Sequence, residues 1–443
     1  MKTYYIKTFG CQMNEHDSEI LAGMLESIGY RSTGTIDRAD FVLLNTCCIR
    51  ETAENKVFSF LGRLKRQKMS NPAMLIGVCG CMPQQTGMAS RLRQLFPYVD
   101  LIFGTQNIDM LPVFVERIAA DGNPVVEIAT EPDELPEGLP VARKEGLRAL
   151  VTITHGCNNY CTYCIVPYVR GSERSRRPEH IIDETIRLGH EGFKEVVLLG
   201  QNVNSYGKDL DKPFDFADLL VSLDRVGSIE RIRYMTSHPR DFNEKLIQTI
   251  ARTKKTCEHF HLPVQSGSSR ILQNMNRGYT REHYLHLVSL IREYIPQATI
   301  TTDIMVGFPG ETEDDFMATV DLVEQVRFDS AYTFIYNTRP GTPAAKMPEQ
   351  VPEKIKKQRI QKLIRLQNVI SFEKNKADEA TQQQVLVEGV SNLGADFLYG
   401  KSRGNKTIVF QGNKGLLGKT VDVSITKAHL AYLEGVLIEG QKI

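Results

Sequence analysis

"LRALVTITHGCNNYCTYCIVPYVRG", Leu147 to Gly171, opens as a nine-residue strand pattern and runs directly into a loop carrying Cys157, Cys161 and Cys164. The same apolar, β-branched signature returns in "KEVVLLGQN", "RIRYMTS", "CEHFHLPVQ", "ATITTDIMVG" and "SAYTFIY", making six strand candidates from residue 147 onward. Amphipathic stretches such as "PEHIIDETIRLGHEG" and "YTREHYLHLVSLIREY" lie between them. Strands alternating with helices imply parallel βα units. Six units fall short of a complete eightfold barrel, so the expectation is a partial, open (β/α)6 barrel. Catalytic groups of such barrels gather in the loops beyond the strands' carboxyl ends, where these three cysteines fall.

Three thiolates within eight residues, spaced CxxxCxxC, can each bind a separate iron of a 4Fe–4S cube. The fourth iron then stays open to the amino and carboxylate groups of a substrate. The alternatives are a reduced surface cluster, or a zinc knot completed by His155 or Cys257, since structural zinc takes four ligands.

The 443 residues suffice for two to four domains with real cores. The amino-terminal "MKTYYIKTFGC" reads as a strand and lacks the pattern of a secretory signal. With no stretch of ~18 uncharged apolar residues, a cytosolic protein with no membrane association is expected. Nine cysteines in a reducing compartment point to metal binding or catalysis rather than disulfides. A net charge of +1 leaves any nucleic-acid binding to local basic patches.

Upstream of the barrel, the strands "TYYIKT", "DFVLLN" and "AMLIGV" each end in a cysteine-bearing loop, and helical patterns follow the first two. "DLIFGT" looks like a further strand. The carboxyl ends of parallel strands share one edge, the ligand-binding edge of open α/β folds. Cysteines about 35 residues apart therefore converge there. The choice is between a second Fe–S cluster and three buried free cysteines, which are common in cores. Spacing alone leaves Cys47 and Cys48 equivalent.

The expected organisation is an N-terminal parallel α/β sheet domain over 1–120, an acidic, proline-rich linker over 121–146, the partial barrel over 147–376, and a small all-β barrel over 377–443. The barrel segment ends in a basic helix, 352–376. Its Ile355, Ile360, Leu363, Ile364 and Leu366 are expected to dock, leaving the charges outward. "RGSERSRRP" places Arg170, Arg174, Arg176 and Arg177 just after the cysteine loop, as candidate phosphate contacts. In the tail, Tyr399, Lys401, Arg403, Lys406 and Phe410 interleave aromatics with cations, as single-strand binders do; core packing is the default for Phe410.

CxxxCxxC with an aromatic, Tyr163, before its last cysteine, on a six-unit β/α barrel, resembles the radical S-adenosylmethionine (SAM) enzymes. The resemblance implies that SAM binds the open iron and is cleaved by one electron to a 5′-deoxyadenosyl radical. It places SAM contacts at Tyr163, at Gly200, Gln201 and Asn202 ("LLGQNVNSY"), at Ser237, at Gln265 and Ser266, and at Asp303 and Val306 with Gly307. The second strand departs from the commoner Gly-Gly-Glu.

"TFGCQMNEHDSE", "NTCCIRE" and "GVCGCMPQ", followed by this loop and an all-β tail, resemble the methylthiotransferases over essentially the whole chain. "IFGTQN" and "QMNEHDSE" are similar to the branch acting on isopentenylated adenosine in tRNA. The resemblance implies two 4Fe–4S clusters, on Cys157, Cys161 and Cys164 and, as auxiliary cluster, on Cys11, Cys47 and Cys81. Cys48, Cys79 and Cys257 are left over. The tail resembles a TRAM domain, which implies tRNA binding. The implied activity uses SAM twice, as methyl donor and as radical source, to place a methylthio group on carbon 2 of the adenine next to the anticodon. It needs an external electron donor and a sulfur source; a monomer is favoured. Within the family the alternatives are enzymes acting on threonylcarbamoyladenosine in tRNA or on a ribosomal-protein aspartate. Outside it stand a non-catalytic Fe–S or zinc RNA-binding module, and an electron-transfer protein.

Overall fold

The computed structural model describes residues 1–48, 51–129, 135–143 and 146–438. Residues 49–50 of "NTCCIRE", 130–134 and 144–145 of the expected linker, and 439–443 of the expected tail barrel lie outside the described residues. Two compact units are present, each non-contiguous in sequence: Met1–Tyr160 with Cys164–Ile181 and Leu199–Gln201, and Cys161–Tyr163 with Ile182–Leu198 and Asn202–Ile443.

In chain order the first unit contains β1 (Thr3–Thr8), α1 (Gln12–Ser27), β2 (Arg31–Ser32), β3 (Phe41–Thr46), α2 (Glu51–Ser70), β4 (Leu75–Gly80), α3 (Met88–Leu95), β5 (Leu101–Phe103), α4 (Leu111–Asp121), β6 (Val125–Glu127), β7 (Arg148–Thr152), β8 (Thr154–His155), α5 (Val166–Arg170) and β9 (Arg174–Ser175). β1 to β6 form one sheet of order β2-β1-β3-β4-β5-β6, and every neighbouring pair is parallel. β3 is buried along its whole length, as a strand covered on both faces must be. Phe41 and Leu43 pack with Leu21, Met24 and Leu25 of α1 and Phe114 of α4. Val42 and Leu44 point the other way, to Val57 and Leu61 of α2, Leu92 of α3, and Ile165 and Val169 at α5. The helix that leaves the CxxxCxxC loop is thus anchored in the core of the N-terminal sheet.

The stretch 121–146 is not wholly the aperiodic linker expected. Val125–Glu127 is the sixth strand, parallel to β5, with Val125 buried. Its three residues are too short for a periodic pattern to register, and the prolines around them dominate the local signal.

Further along come α6 (Pro178–His190), β10 (Glu195–Leu199), α7 (Phe216–Asp224), β11 (Arg231–Tyr234), α8 (Glu244–Arg252), β12 (His259–His261), α9 (Ser269–Asn274), α10 (Arg281–Tyr294), β13 (Thr299–Val306), α11 (Glu313–Val326), β14 (Ser330–Ile335) and α12 (Glu353–Lys376). β10 pairs in parallel with β11, Ile232 of β11 bridges to Thr256, and β12, β13 and β14 pair in parallel. With β7 these are the six strands anticipated, each followed by helix.

α12 departs from expectation in which side it buries. Lys356, Arg359, Leu363, Gln367 and Ile370 face inward, whereas Ile364 is exposed. Lys356 Nζ donates to the Tyr336 carbonyl at 3.0 Å, and Arg359 Nη1 meets Glu311 at 2.7 Å. Two of the cations assigned to solvent instead hold the helix down, their aliphatic stems lying along the packed surface.

The tail is a closed five-stranded barrel: β15 (Gln382–Val390), β16 (Phe397–Ser402), β17 (Thr407–Gln411), β18 (Thr420–Ala428) and β19 (Leu433–Leu437), in order β15-β16-β17-β19-β18. Only the β17–β19 pair is parallel. Phe410 is part of its core, with Val385, Leu398, Val423 and Leu433. Among the described residues no helix is long and apolar enough to cross a membrane.

Candidate metal centres

The thiols of the first unit lie at the carboxyl edge of the six-stranded sheet. β3 and β4 pair Thr46 with Gly80, and the Cys81 N–H continues that ladder to the Thr46 carbonyl at 2.9 Å. Cys47 and Cys81 therefore follow in register at the sheet edge. On the other side, Phe9 N–H donates to the Asn45 carbonyl at 2.8 Å before the chain turns at Gly10. Gly10 has φ +134°, and a Cβ there would lie 2.7 Å from Cys47 Cβ. Only glycine lets the loop bearing Cys11 pass so close to Cys47. Asn14, in the first turn of α1, ties the edge together: its Nδ2 donates to Asn45 Oδ1 and to the Thr46 carbonyl, both at 3.1 Å, and its Oδ1 accepts from Cys11 Sγ at 3.5 Å. Gly10→Ala adds backbone strain of about 1–3 kcal/mol and should reduce the iron held by the N-terminal cysteines in an anaerobic iron and sulfide assay, while SAM cleavage persists.

Arg170, from α5, enters the same edge. Its Nε donates to Cys81 Sγ at 3.2 Å, and its Nη2 to Asp17 Oδ2 at 2.6 Å and Asn14 Oδ1 at 3.4 Å. The Arg170–Asp17 pair is nearly inaccessible, at 6% and 7% side-chain exposure. The Cys48 thiol hydrogen-bonded to it, together with the Arg170 charge, pulls the Cys81 thiol down to about 6, against the upward push of burial. Both influences favour the thiolate of Cys81, the form that binds metal. Cys79, two residues earlier and in the core on the other side of the sheet, is pushed well up by burial. Cys257 is likewise raised by burial, and these two behave as inert core thiols. His155 is held neutral by burial and by the Arg170 charge.

The CxxxCxxC loop begins at Gly156, φ +73°, where a Cβ would lie 1.9 Å from the Ser172 carbonyl oxygen. The Cys157 N–H donates to the Gly171 carbonyl at 3.1 Å, so loop and return segment touch. Cys157 and Cys164 are half-buried, and Cys161 is buried. In the second unit Arg277 Nη1 donates to Cys161 Sγ and to the Tyr163 hydroxyl, each at 3.4 Å. Its Nε donates to the Tyr279 hydroxyl at 3.1 Å and its Nη2 to the Pro263 carbonyl at 2.9 Å. Arg277 is 5% exposed, and every one of these partners is neutral or a thiol.

Among the described residues no three His, Cys, Asp or Glu side chains are gathered to hold a metal ion. The donor chemistry nevertheless fits an iron–sulfur group at both places. In the first unit Cys81 Sγ, and in the second Cys161 Sγ, accepts from a buried guanidinium. Arg170 has the Asp17 carboxylate beside it, whereas Arg277 is a buried cation with no carboxylate among these partners. That is costly, and thiolates bound to a cluster would carry the compensating negative charge.

The residues expected to contact SAM divide between the units. Gly200 and Gln201 belong to the first, where Gln201 Oε1 is buried with no hydrogen-bond partner. In the second, Asn202 Nδ2 donates to Asp241 Oδ2 at 2.7 Å, which leaves its buried Oδ1 unpartnered. Ser237 Oγ is unpartnered as well. His238 Nδ1 accepts the Arg240 N–H at 3.3 Å, and burial keeps the ring neutral, so the proton sits on Nε2, a buried donor without a partner. Gln265 holds φ +69° while bridging Asp303 and Met305 through its backbone at 2.8 Å each. Asp303 Oδ1 lies 3.6 Å from His261 Nε2. Unpartnered buried polar atoms are rare in folded proteins, and a group of them beside one another is what a bound ligand would satisfy. Ser266 and Val306 are different: Ser266 Oγ accepts the Ser268 N–H at 3.2 Å and meets Thr319 Oγ1 at 3.4 Å, and the Val306 side chain is core.

The basic candidates differ in how far the fold engages them. Arg170 is buried on Asp17. Arg176 donates to Glu137 at 2.9 Å and to the Thr152 carbonyl at 2.8 Å. Arg403 forks onto both oxygens of Glu258, at 2.7 and 2.8 Å. These three charges are engaged within the fold. Arg174 reaches Gln106 at 3.0 Å and Lys401 reaches Thr407 at 2.7 Å, both half-buried, and Arg177 is exposed. A run of arginines in sequence does not reveal which ones have acidic partners far along the chain.

Sequence reasoning missed Asp17, Asn14, His238 and Arg277 as site residues. Asp17 and Asn14 sit inside "QMNEHDSE", and their spacing of three places both on one face of α1. Arg277 carries no local signal, because a single arginine between two helices reads as solvated loop.

Comparison with known proteins agrees with this organisation. Residues 3–104 match the description "Uncharacterized protein family UPF0004", residues 151–323 the radical SAM superfamily, and residues 377–438 the TRAM domain. A Pelotomaculum thermopropionicum protein named tRNA-2-methylthio-N(6)-dimethylallyladenosine synthase is 62% identical over 438 residues, 99% of this chain and 98% of that protein. A Desulforamulus reducens protein of the same name is 57% identical over 437 residues, 99% and 96% of the two chains. Among solved structures, the radical S-adenosylmethionine methyltransferase TsrM from Kitasatospora setae, with cobalamin and a [4Fe-4S] cluster bound, has a similar fold. Its TM-score is 0.58 at 15% identity, covering 78% of this chain and 77% of that one. The chain belongs to the family of tRNA-2-methylthio-N(6)-dimethylallyladenosine synthases, radical SAM methylthiotransferases.

Proposed function

We propose that this chain attaches a methylthio group to carbon 2 of N6-isopentenyladenosine at position 37 of tRNA, next to the anticodon, using SAM both as methyl donor and as radical source. The observation that carries this assignment is likeness at 62% identity over 99% of the chain to a protein named for that reaction. Cys157, Cys161 and Cys164 would hold one 4Fe–4S cluster, and Cys11, Cys47 and Cys81 a second. When bound, the clusters supply the electron that cleaves SAM and the site at which sulfur is handed on.

The remaining work falls to the protein. Asn202 Oδ1, held in place through Asp241, is an acceptor suited to an ammonium group. The Ser237 hydroxyl and His238 Nε2–H are donors suited to carboxylate or ribose oxygens. Asp303 offers a carboxylate to ribose hydroxyls. Arg277 places a fixed positive charge beside Cys161. The terminal barrel, Arg177 and Lys401 are assigned to the tRNA. Unstacked loop bases are the usual target of sequence-specific RNA recognition, which suits an adenosine beside the anticodon.

The test is anaerobic reconstitution with iron and sulfide, followed by SAM, a reductant and isopentenylated tRNA, digestion and mass measurement of the nucleosides. Methylthiolated isopentenyladenosine and 5′-deoxyadenosine are expected together. Absence of both would rule out the assignment and favour a non-catalytic Fe–S RNA-binding protein. Deoxyadenosine alone would shift the substrate to threonylcarbamoyladenosine or a ribosomal protein.

A further inference from the structure

Among the described residues, a cation from a different segment of chain reaches the N-terminal thiols. Arg170 lies six positions beyond Cys164, on the short helix α5, whose Val169 packs among Val42, Leu44 and Cys48. Two of its nitrogens are engaged at this edge: Nε on Cys81 Sγ at 3.2 Å, and Nη2 on Asp17 at 2.6 Å and on Asn14 at 3.4 Å. Asp17 and Asn14 are one helical step apart on α1, and Asn14 also accepts from Cys11 at 3.5 Å. A positive and a negative group thus stand side by side, the positive one on Cys81 Sγ and both tied through Asn14 and Arg170 to the edge that carries Cys11. Hydrogen bonds to ligand sulfurs and nearby net charge are the principal levers on the reduction potential of an iron–sulfur cluster. An N–H on sulfur favours the reduced, more negative state, and an adjacent carboxylate opposes it.

We infer that Arg170 is a positioning residue that tunes the reduction potential of the cluster on Cys11, Cys47 and Cys81, and that Asp17 limits how much of the Arg170 charge that cluster feels. The inference rests on the assignment of those three cysteines as ligands. A bare arginine would raise the potential, whereas the paired arginine donates its N–H to Cys81 with little net charge. Each partner therefore masks the other, and removing either exposes a charge of opposite sign.

The test uses the full chain carrying Cys161→Ala, so that one cluster is read alone, reconstituted anaerobically and titrated potentiometrically with EPR detection. Arg170→Gln should shift the midpoint downward, because Asp17 is left bare. Asp17→Asn should shift it upward, because Arg170 is left bare. The double variant should return towards the parent value. Arg170→Lys, which keeps the charge, should lie closer to the parent than Arg170→Gln. A purely packing role predicts no shift, or shifts of one sign in both single variants, and either result overturns the inference. Should one variant fail to assemble, the sign of the other decides. A Cys161→Ala parent that binds no cluster would instead refute the ligand assignment, a failure visible in the iron analysis before any potential is measured.

Discussion

Cys47→Ala, purified and reconstituted without oxygen, is expected to lose about four irons per chain, the content of one 4Fe–4S cube. It should give no methylthiolated nucleoside while still forming 5′-deoxyadenosine from SAM. Cys48→Ala is expected to keep its iron and both activities. The reason is geometric. Cys47 follows Thr46 at the sheet edge, in register with Cys81 and against Gly10, the residue before Cys11. Cys48 is wholly inaccessible and belongs to the apolar cluster with Val57, Leu61 and Met82. Its loss removes a small buried side chain and its hydrogen bond to Cys81. Two remaining cysteines do not retain a cube that needs three, whereas the core position next to the edge contributes packing and one hydrogen bond to a ligand sulfur. Equal iron loss in the two variants would make Cys48 a ligand and overturn the assignment; iron loss in Cys48→Ala alone would reverse it.

The choice between these neighbours marks where sequence stops and structure begins. Strands such as "DFVLLN" and "KEVVLLGQN" are legible because burial on both faces leaves a continuous apolar run, and a parallel sheet fixes which ends share an edge. That logic gathers the cysteine sites at Cys11, at Cys47 or Cys48, and at "GVCGC" without any partner information; the resemblance supplies Cys47 and Cys81. The shared edge cannot separate two consecutive residues where a strand gives way to loop, because the alternation of faces ends with the ladder.

Long-range charge pairing is hidden for a different reason. Arg170 and Asp17 are 153 positions apart, and Arg403 and Glu258 are 145 apart. Each of the four looks like an ordinary surface charge in its own segment. Helix α12 makes the same point. Its cations were legible as a basic helix, yet Lys356 and Arg359 face inward because Glu311 and the Tyr336 carbonyl wait for them there. Periodicity identifies faces by apolar residues, so a face whose contacts are made by arginine and lysine is assigned to solvent.

Glu195→Ala is expected to destabilise the second unit by about 3–5 kcal/mol, the cost of leaving one partner of a buried ion pair uncompensated. Glu195 is at 0% side-chain exposure and Arg233 at 4%, and they meet at 2.8 Å. Arg233 also donates to the backbone carbonyls of Arg403 at 2.8 Å and Ser402 at 2.6 Å. Arg231, two residues away on the same face of β11, donates to the Lys401 carbonyl at 2.7 Å and the Gln384 carbonyl at 3.1 Å. The strand thus holds the terminal barrel through fixed guanidinium forks, and Glu195 supplies the counter-charge that keeps one of them in place. Urea unfolding followed by circular dichroism should show the lower midpoint. Glu195→Leu combined with Arg233→Met should recover most of the loss, because a buried ion pair replaced by apolar groups of similar volume is often nearly neutral. The recovery stays incomplete, since the double variant no longer donates to the Ser402 and Arg403 carbonyls, and each bond lost without replacement costs about 1–3 kcal/mol. A loss below about 1 kcal/mol in Glu195→Ala, within the usual range for exposed pairs, would mean that the pair is hydrated and that the barrel is held by its apolar contacts instead.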